Sequence, residues 1–164
     1  MRLPTGALSA ILTQTISGYP FMAARTAKKK KIKAKTAKTK PPAKKIFVVE
    51  DDQVISEYLE STLEDFGYQV GSCSLGAQAW AKISMQNPDL ILMDVMLPDM
   101  DGITLCKQLH SDSQTGKIPI IMLTCLTDSS TIRQAYSYGA VDFIGKPFDR
   151  ATLKSRVQKA LFKE

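Results

Sequence analysis

The sequence predicts an α/β fold: a doubly wound, five-stranded parallel sheet, preceded by a disordered basic tail. Three observations predict it. Over residues 45–164, short apolar runs alternate five times with segments of helical period, which is the pattern of βα units joined by right-handed crossovers. Those apolar runs end on acids, a hydroxyl and a lysine. Finally, residues 1–45 hold 12 of the 22 Lys and Arg and no acid, which leaves 10 against all 16 Asp and Glu in the remainder. A basic extension (1–44) thus precedes an acidic domain (45–164), and the overall charge of +6 describes neither part.

The elements follow in order. Ile46–Val49 is β-branched and aromatic, hence a strand. Ile55, Leu59, Leu63 and Phe66 recur at helical spacing until Gly67 stops the helix. Asp52 is placed to cap it. Gln69–Cys73 is a weaker strand. Gly76–Met85 reads as a helix with Ala79, Trp80 and Ile83 on one face. Leu90–Met93 is continuously apolar, as a strand buried on both faces must be. Ile103, Cys106 and Leu109 mark a third helix. Pro119–Leu123 is a fourth strand. Asp128 is placed to cap a helix carrying Ile132, Ala135 and Tyr136, which Gly139 ends. Val141–Ile144 is a fifth strand, and Asp149 caps a last helix with Leu153, Val157 and Leu161 inward.

Composition excludes several classes. Cys73, Cys106 and Cys125 match no zinc spacing, and their number is odd. They read as buried thiols of a reducing, cytoplasmic compartment. No apolar run approaches ~18 residues, so no membrane span is expected. Residues 26–45, TAKKKKIKAKTAKTKPPAKK, carry too little apolar surface to offset chain entropy. They suit weak polyanion contact, but offer no aromatic residue to stack on bases. Residues 1–25 are short and Arg-poor for a transit peptide. Disorder, or initiation at Met22, is favoured over targeting.

In a doubly wound sheet, ligands sit outside the carboxyl ends of the strands. Here those ends carry Glu50, Asp51, Asp94, Thr124 and Lys146. No G-x-G-x-x-G and no Walker loop is present, which argues against a nucleotide site. Clustered acids beside one lysine suggest a divalent-metal site that accepts a phosphoryl group.

The stretches IFVVEDD, PDLILMDVMLPDMDGI, PIIMLT and DFIGKPF together resemble the receiver domain of two-component response regulators, which implies a flavodoxin-like (CheY-like) (βα)5 fold. The resemblance spans residues 46–163. It implies that Asp94 is the phosphoacceptor. It makes Asp51 the main acid for Mg²⁺, with Glu50 in the neighbouring acid position and the backbone carbonyl of Met96 as a further ligand. It assigns Lys146 and Thr124 to the phosphoryl oxygens and Phe143 to the switch aromatic. Pro147 would follow a cis peptide bond. Gly102 would serve the backbone turn after the acceptor strand, and Pro98 would stiffen that loop.

The implied function is that of a single-domain response regulator in a phosphorelay. Its partners are a histidine kinase or histidine phosphotransfer protein, and a downstream protein target on the face of the fourth helix, fifth strand and fifth helix. Such a domain catalyses only its own phosphorylation and dephosphorylation. Met96 and Leu126, two residues past Asp94 and Thr124, are apolar and position water poorly, so slow self-dephosphorylation is expected. Asp142 and Arg156 are candidates to pair across a dimer on the switch face, but such exposed pairs contribute only about 0–1 kcal/mol, so the oligomeric state stays open. His110, at a helix end, is given no phosphotransfer role.

Three other readings are set against this one. A haloacid-dehalogenase-like phosphatase needs a second Asp where Met96 stands. A degenerate receiver that only binds partners would lack residues that are present here. In a polyanion-binding protein, the tail would be the working part.

Overall fold

Five short strands form one sheet, and the order in which they lie decides where a ligand can sit. The structure is a computed structural model that describes residues 42–125 and 129–162. The strands are β1 (Lys45–Val49), β2 (Gln69–Cys73), β3 (Leu90–Asp94), β4 (Ile120–Thr124) and β5 (Asp142–Gly145). The helices are α1 (Gln53–Asp65), α2 (Gly76–Gln86), α3 (Gly102–Ser111), α4 (Ser129–Ser137) and α5 (Arg150–Leu161). The sheet runs β2-β1-β3-β4-β5 and every pair is parallel. The expected five βα units are all present. β3 and β4 each run one residue further than their apolar letters indicate. The ladder continues through Asp94, paired with Leu123, and through Thr124, paired with Gly145. The polar strand ends therefore belong to the sheet and not to loops.

Side chains alternate across a strand, and this divides the core in two. Ile46, Val48, Leu90, Leu92, Ile121, Leu123 and Ile144 pack with Leu59 and Leu63 of α1 and with Leu153 and Val157 of α5. Phe47, Val49, Ile91, Met93, Ile120 and Met122 pack with α2, α3 and α4 through residues such as Ile83, Leu109 and Ala135. All five residues of β3 and of β4 are buried, as central strands covered on both faces require. Each such aliphatic side chain contributes about 1.5–3 kcal/mol by leaving water.

The helix ends follow from local chemistry. Asp52 caps α1, accepting from the backbone N–H of Val54 (2.9 Å) and Ile55 (3.1 Å). Asp101 caps α3 and Asp149 caps α5 in the same way. Gly67, at φ +90°, turns the chain out of α1, a left-handed conformation in which a Cβ is strained. No helix among the described residues is long and apolar enough to cross a membrane.

Three expectations are corrected. Trp80 is 45% exposed. The buried stripe of α2 runs through Gly76, Ala79 and Ile83, and Trp80 lies a further ~100° round the helix from Ala79. Cys125 is exposed while Cys73 and Cys106 are buried, because it lies one residue beyond the end of β4. Asp142 does not wait for a second chain, since Arg156 donates to both its oxygens within the same chain, at 3.1 and 3.0 Å. The basic extension 1–41, the Asp128 cap and Leu126 lie outside the described residues.

Burial pushes the Cys73 thiol up and the Cys106 thiol to about 11. A thiol reagent on the native protein should therefore modify Cys125 alone, and Cys125→Ser should leave native protein unreactive until urea exposes the other two. Rapid native labelling of Cys106 would contradict this packing.

Candidate functional site

β1 and β3 are neighbours, but the strands that follow them, β2 and β4, lie on opposite sides. That reversal opens a crevice at their carboxyl ends. Glu50 and Asp51 follow β1 directly and Asp94 ends β3. Carboxylate oxygens of the three acids lie within 4.8 Å of one another. Glu50 is 2% and Asp94 8% exposed, whereas Asp51 is exposed.

Lys146 enters from the turn after β5. Its Nζ donates to both oxygens of Glu50, at 2.7 and 2.9 Å, and to Oδ2 of Asp94 at 2.6 Å. Its backbone N–H donates to the Thr124 carbonyl at 2.8 Å, which fastens the turn to the end of β4. The Lys146–Pro147 peptide is cis, as the resemblance implies. The other oxygen of Asp94, Oδ1, accepts from the Met96 N–H at 3.0 Å. Each oxygen of Asp94 thus has a protein donor among the described residues, and a carboxylate oxygen can accept more than one bond.

The charges do not balance. Among the described residues, one ammonium faces the three carboxylates. At ~4 Å and an effective dielectric of 20, each pair of like charges costs about 4 kcal/mol. Burial pushes the Glu50 carboxyl up, against the pull of Lys146. Burial also works against the Lys146 ammonium, but its bonds to Asp94 and Glu50 outweigh it and hold the group above its ordinary value. Two buried acids and an exposed third, all hard oxygen donors, fit a small divalent cation that keeps part of its water, as Mg²⁺ does.

The remaining site residues are placed by the strands. Thr124, 4% exposed, ends β4 beside the end of β3. Gly102 is needed for close approach, because a Cβ there would collide with the carbonyl oxygen of Asp94. Phe143 lies on β5, half-buried, with its ring edge-on to Tyr136 of α4 (centroids 5.1 Å apart). Phe143 is thus apart from the acids and on the α4 side. His110 is exposed at the end of α3 and lines a cavity of about 480 Å³ with Lys44 and Lys117, away from the acid cluster. A second cavity, about 390 Å³, adjoins Lys146 and is walled by Val54, Tyr58, Pro147 and Phe148.

Sequence reasoning passed over Asp99. This residue, in the loop after β3, bonds the start of α2 from 22 and 23 residues away. Only its position in an acid-rich turn was visible.

Comparison with known proteins agrees with this fold. The family model of the response regulator receiver domain matches residues 46–158. The transcriptional regulatory protein CrdR of Helicobacter pylori is 36% identical over 116 residues, covering 71% of this chain and 54% of that protein. The chain spans about half the length of the curated relatives it matches. Among solved structures, the chemotaxis response regulator CheY4 of Vibrio cholerae superposes with a TM-score of 0.70 at 33% identity, over 73% of this chain and 99% of that one. The receiver domain of the sensor histidine kinase PA1611 of Pseudomonas aeruginosa, with a magnesium ion coordinated in its active-site cleft, gives 0.67 at 31% identity, over 73% and 98%. With the sheet order, the strand-end acids and these matches agreeing, the chain belongs to the response regulator receiver domain family.

Proposed function

We propose that this chain accepts a phosphoryl group on Asp94 from the phosphohistidine of a histidine kinase or histidine phosphotransfer protein, and thereby switches its binding to a downstream protein. The observation that carries this reading is the joint grip of Lys146 on Glu50 and Asp94 beside Asp51. The setting is the cytoplasm. The Lys-rich residues 26–45 supply at most weak polyanion contact. The activities of the longer relatives, named as transcriptional regulators, are theirs.

Glu50, Asp51, Asp94 and the Met96 backbone carbonyl would hold Mg²⁺. Bound there, the ion would supply charge neutralisation at the phosphoryl oxygens and polarisation of the phosphorus. An oxygen of Asp94 attacks the phosphorus as the bond to the imidazole nitrogen breaks. The imidazole leaves with the electron pair and the carboxylate becomes an acyl phosphate. Lys146 releases Asp94 and donates to a phosphoryl oxygen. Its ammonium is already in place, so little reorganisation opposes the step. The Thr124 hydroxyl donates to a second phosphoryl oxygen, drawing the end of β4 inward. Phe143 follows it away from Tyr136, and the α4-β5-α5 face changes shape for the downstream protein. Phosphorylation shifts an existing equilibrium by these differential contacts.

Three expected outcomes follow from this scheme. Asp94→Asn should take no acid-labile phosphate from a small phosphodonor, while Asp51→Asn takes it slowly. Undiminished labelling of Asp94→Asn would place the acceptor elsewhere. Mg²⁺ at 100 times its Kd should stabilise the native protein by about 2.7 kcal/mol in urea unfolding. Asp51→Asn should lose most of this gain while being the more stable protein without metal, because one like charge is gone. The Phe143–Tyr136 contact is worth about 0.5–1.5 kcal/mol, so Tyr136→Ala should move the balance toward the inward form by a factor of about 2–13. Its rate of phosphorylation by a small phosphodonor should rise accordingly, and an unchanged rate would remove Tyr136 from the switch.

A further inference from the structure

The loop that leaves Asp94 is fastened at its far end to a different helix. Local aspartates cap α1, α3 and α5. α2 has no such residue: Leu75 stands at its N-cap and offers no side-chain bond. Its first N–H groups would otherwise lack partners. Asp99 supplies them from the loop after β3. Oδ1 accepts from the Gly76 N–H at 2.9 Å and Oδ2 from the Ala77 N–H at 2.8 Å. Two bonds, one to each oxygen, fix the carboxylate plane as well as its position. Negative charge at a helix N-terminus adds to their strength. Those bonds also hold the Asp99 carboxyl below the usual carboxylate range, so it stays ionised at neutral pH.

Packing reinforces the same junction. A Cβ on Gly76 would collide with the Met100 side chain and lie 3.2 Å from Cδ1 of Leu97. Leu97, Asp99 and Met100 therefore all meet α2 at one spot. The near end of the loop is tied with equal care. Met96 donates to Asp94, Met96 and Asp101 form an isolated antiparallel bridge, and the Gly102 N–H returns to the Val95 carbonyl at 2.8 Å. Met96 thus sits in a loop anchored at Asp94 on one side and at α2 on the other.

We infer that Asp99 is a positioning residue: by clamping the loop 95–101 to the N-terminus of α2, it sets the place of Met96 relative to Asp94, and with it the affinity for Mg²⁺. The inference rests on the metal-binding reading of the site given above. A mere helix cap would stabilise α2 without touching metal affinity, and this separates the two roles.

The test compares Asp99→Ala with Asp112→Ala in the full chain. Asp112 also accepts two backbone N–H groups, from Gln114 (2.8 Å) and Thr115 (3.1 Å), but in the turn after α3, away from the acids. Calorimetric titration with MgCl₂ gives Kd, and urea unfolding gives stability. Both variants should lose stability. Only Asp99→Ala should also raise the Mg²⁺ Kd, by about 10-fold, the size expected when a support behind a metal ligand is removed. Asp99→Asn, which keeps one oxygen and the side-chain volume, should fold in any case and raise Kd by less. Unchanged Kd in both Asp99 variants, or an equal rise in Asp112→Ala, would overturn the clamp. Wild-type protein that takes no Mg²⁺ would overturn the reading of the site itself, a different result from wild-type binding that the Asp99 variants leave intact.

Discussion

The Lys146 ammonium holds two buried carboxylates from two different strand ends, and the rest of the site is arranged around that grip. Glu50 and Asp94 are buried, and an unpaired charge at either position would cost several kcal/mol. Lys146 bonds both and so makes their burial tolerable. It does not neutralise them together with Asp51. The pocket keeps an excess of negative charge that a divalent cation would relieve, and it keeps the Lys146 ammonium beside Asp94. In the proposed function, the same imbalance that would weaken the domain without metal draws in the cation that would offset an incoming phosphoryl group. Removing Lys146 would deepen the repulsion, and removing an acid would relax it.

Strand order makes the grip possible. Because β2 and β4 lie on opposite sides of the β1-β3 pair, no connection crosses the crevice where Glu50 and Asp94 meet. Parallel pairing then aligns the ends of β3, β4 and β5, so that Asp94, Thr124 and Gly145 finish within one residue of each other in the ladder. The bond from the Lys146 N–H to the Thr124 carbonyl ties the lysine's turn to the hydroxyl's strand. Phe143 lies on β5, three residues before Lys146 in the turn that follows, and in the proposed switch a pull on that turn would emerge there. Its edge contact with Tyr136 links β5 to α4.

Much of this was legible in the letters, for physical reasons. Strand ends are local: an apolar run that stops on Asp94 or Thr124 is visible without knowing its neighbours. Caps such as Asp52 and Asp149 act within three residues, so spacing exposes them. Convergence of the acids followed from the α/β pattern, since parallel strands place all their carboxyl ends on one side. Features that depend on distant partners were not legible. Trp80 and Ala79 are adjacent in sequence, and only packing decides which of them enters the core. Asp142 and Arg156 meet between a strand and a helix 14 residues on, with no local signal to distinguish this from a contact between chains. Asp99 caps a helix 22 residues behind it, against the usual rule that the cap precedes the helix directly. The exposure of Cys125 turns on a single residue at a strand end.

The central claim is that Glu50, Asp51, Asp94 and Lys146 form one cation-assisted acceptor for a phosphoryl group. Fluorine NMR of the protein with beryllofluoride, a phosphoryl mimic, tests it most directly. The account predicts protein-bound fluoride resonances that require Mg²⁺ and vanish in Asp94→Asn. Bound resonances that persist without Mg²⁺, or in the Asp94→Asn protein, would contradict it.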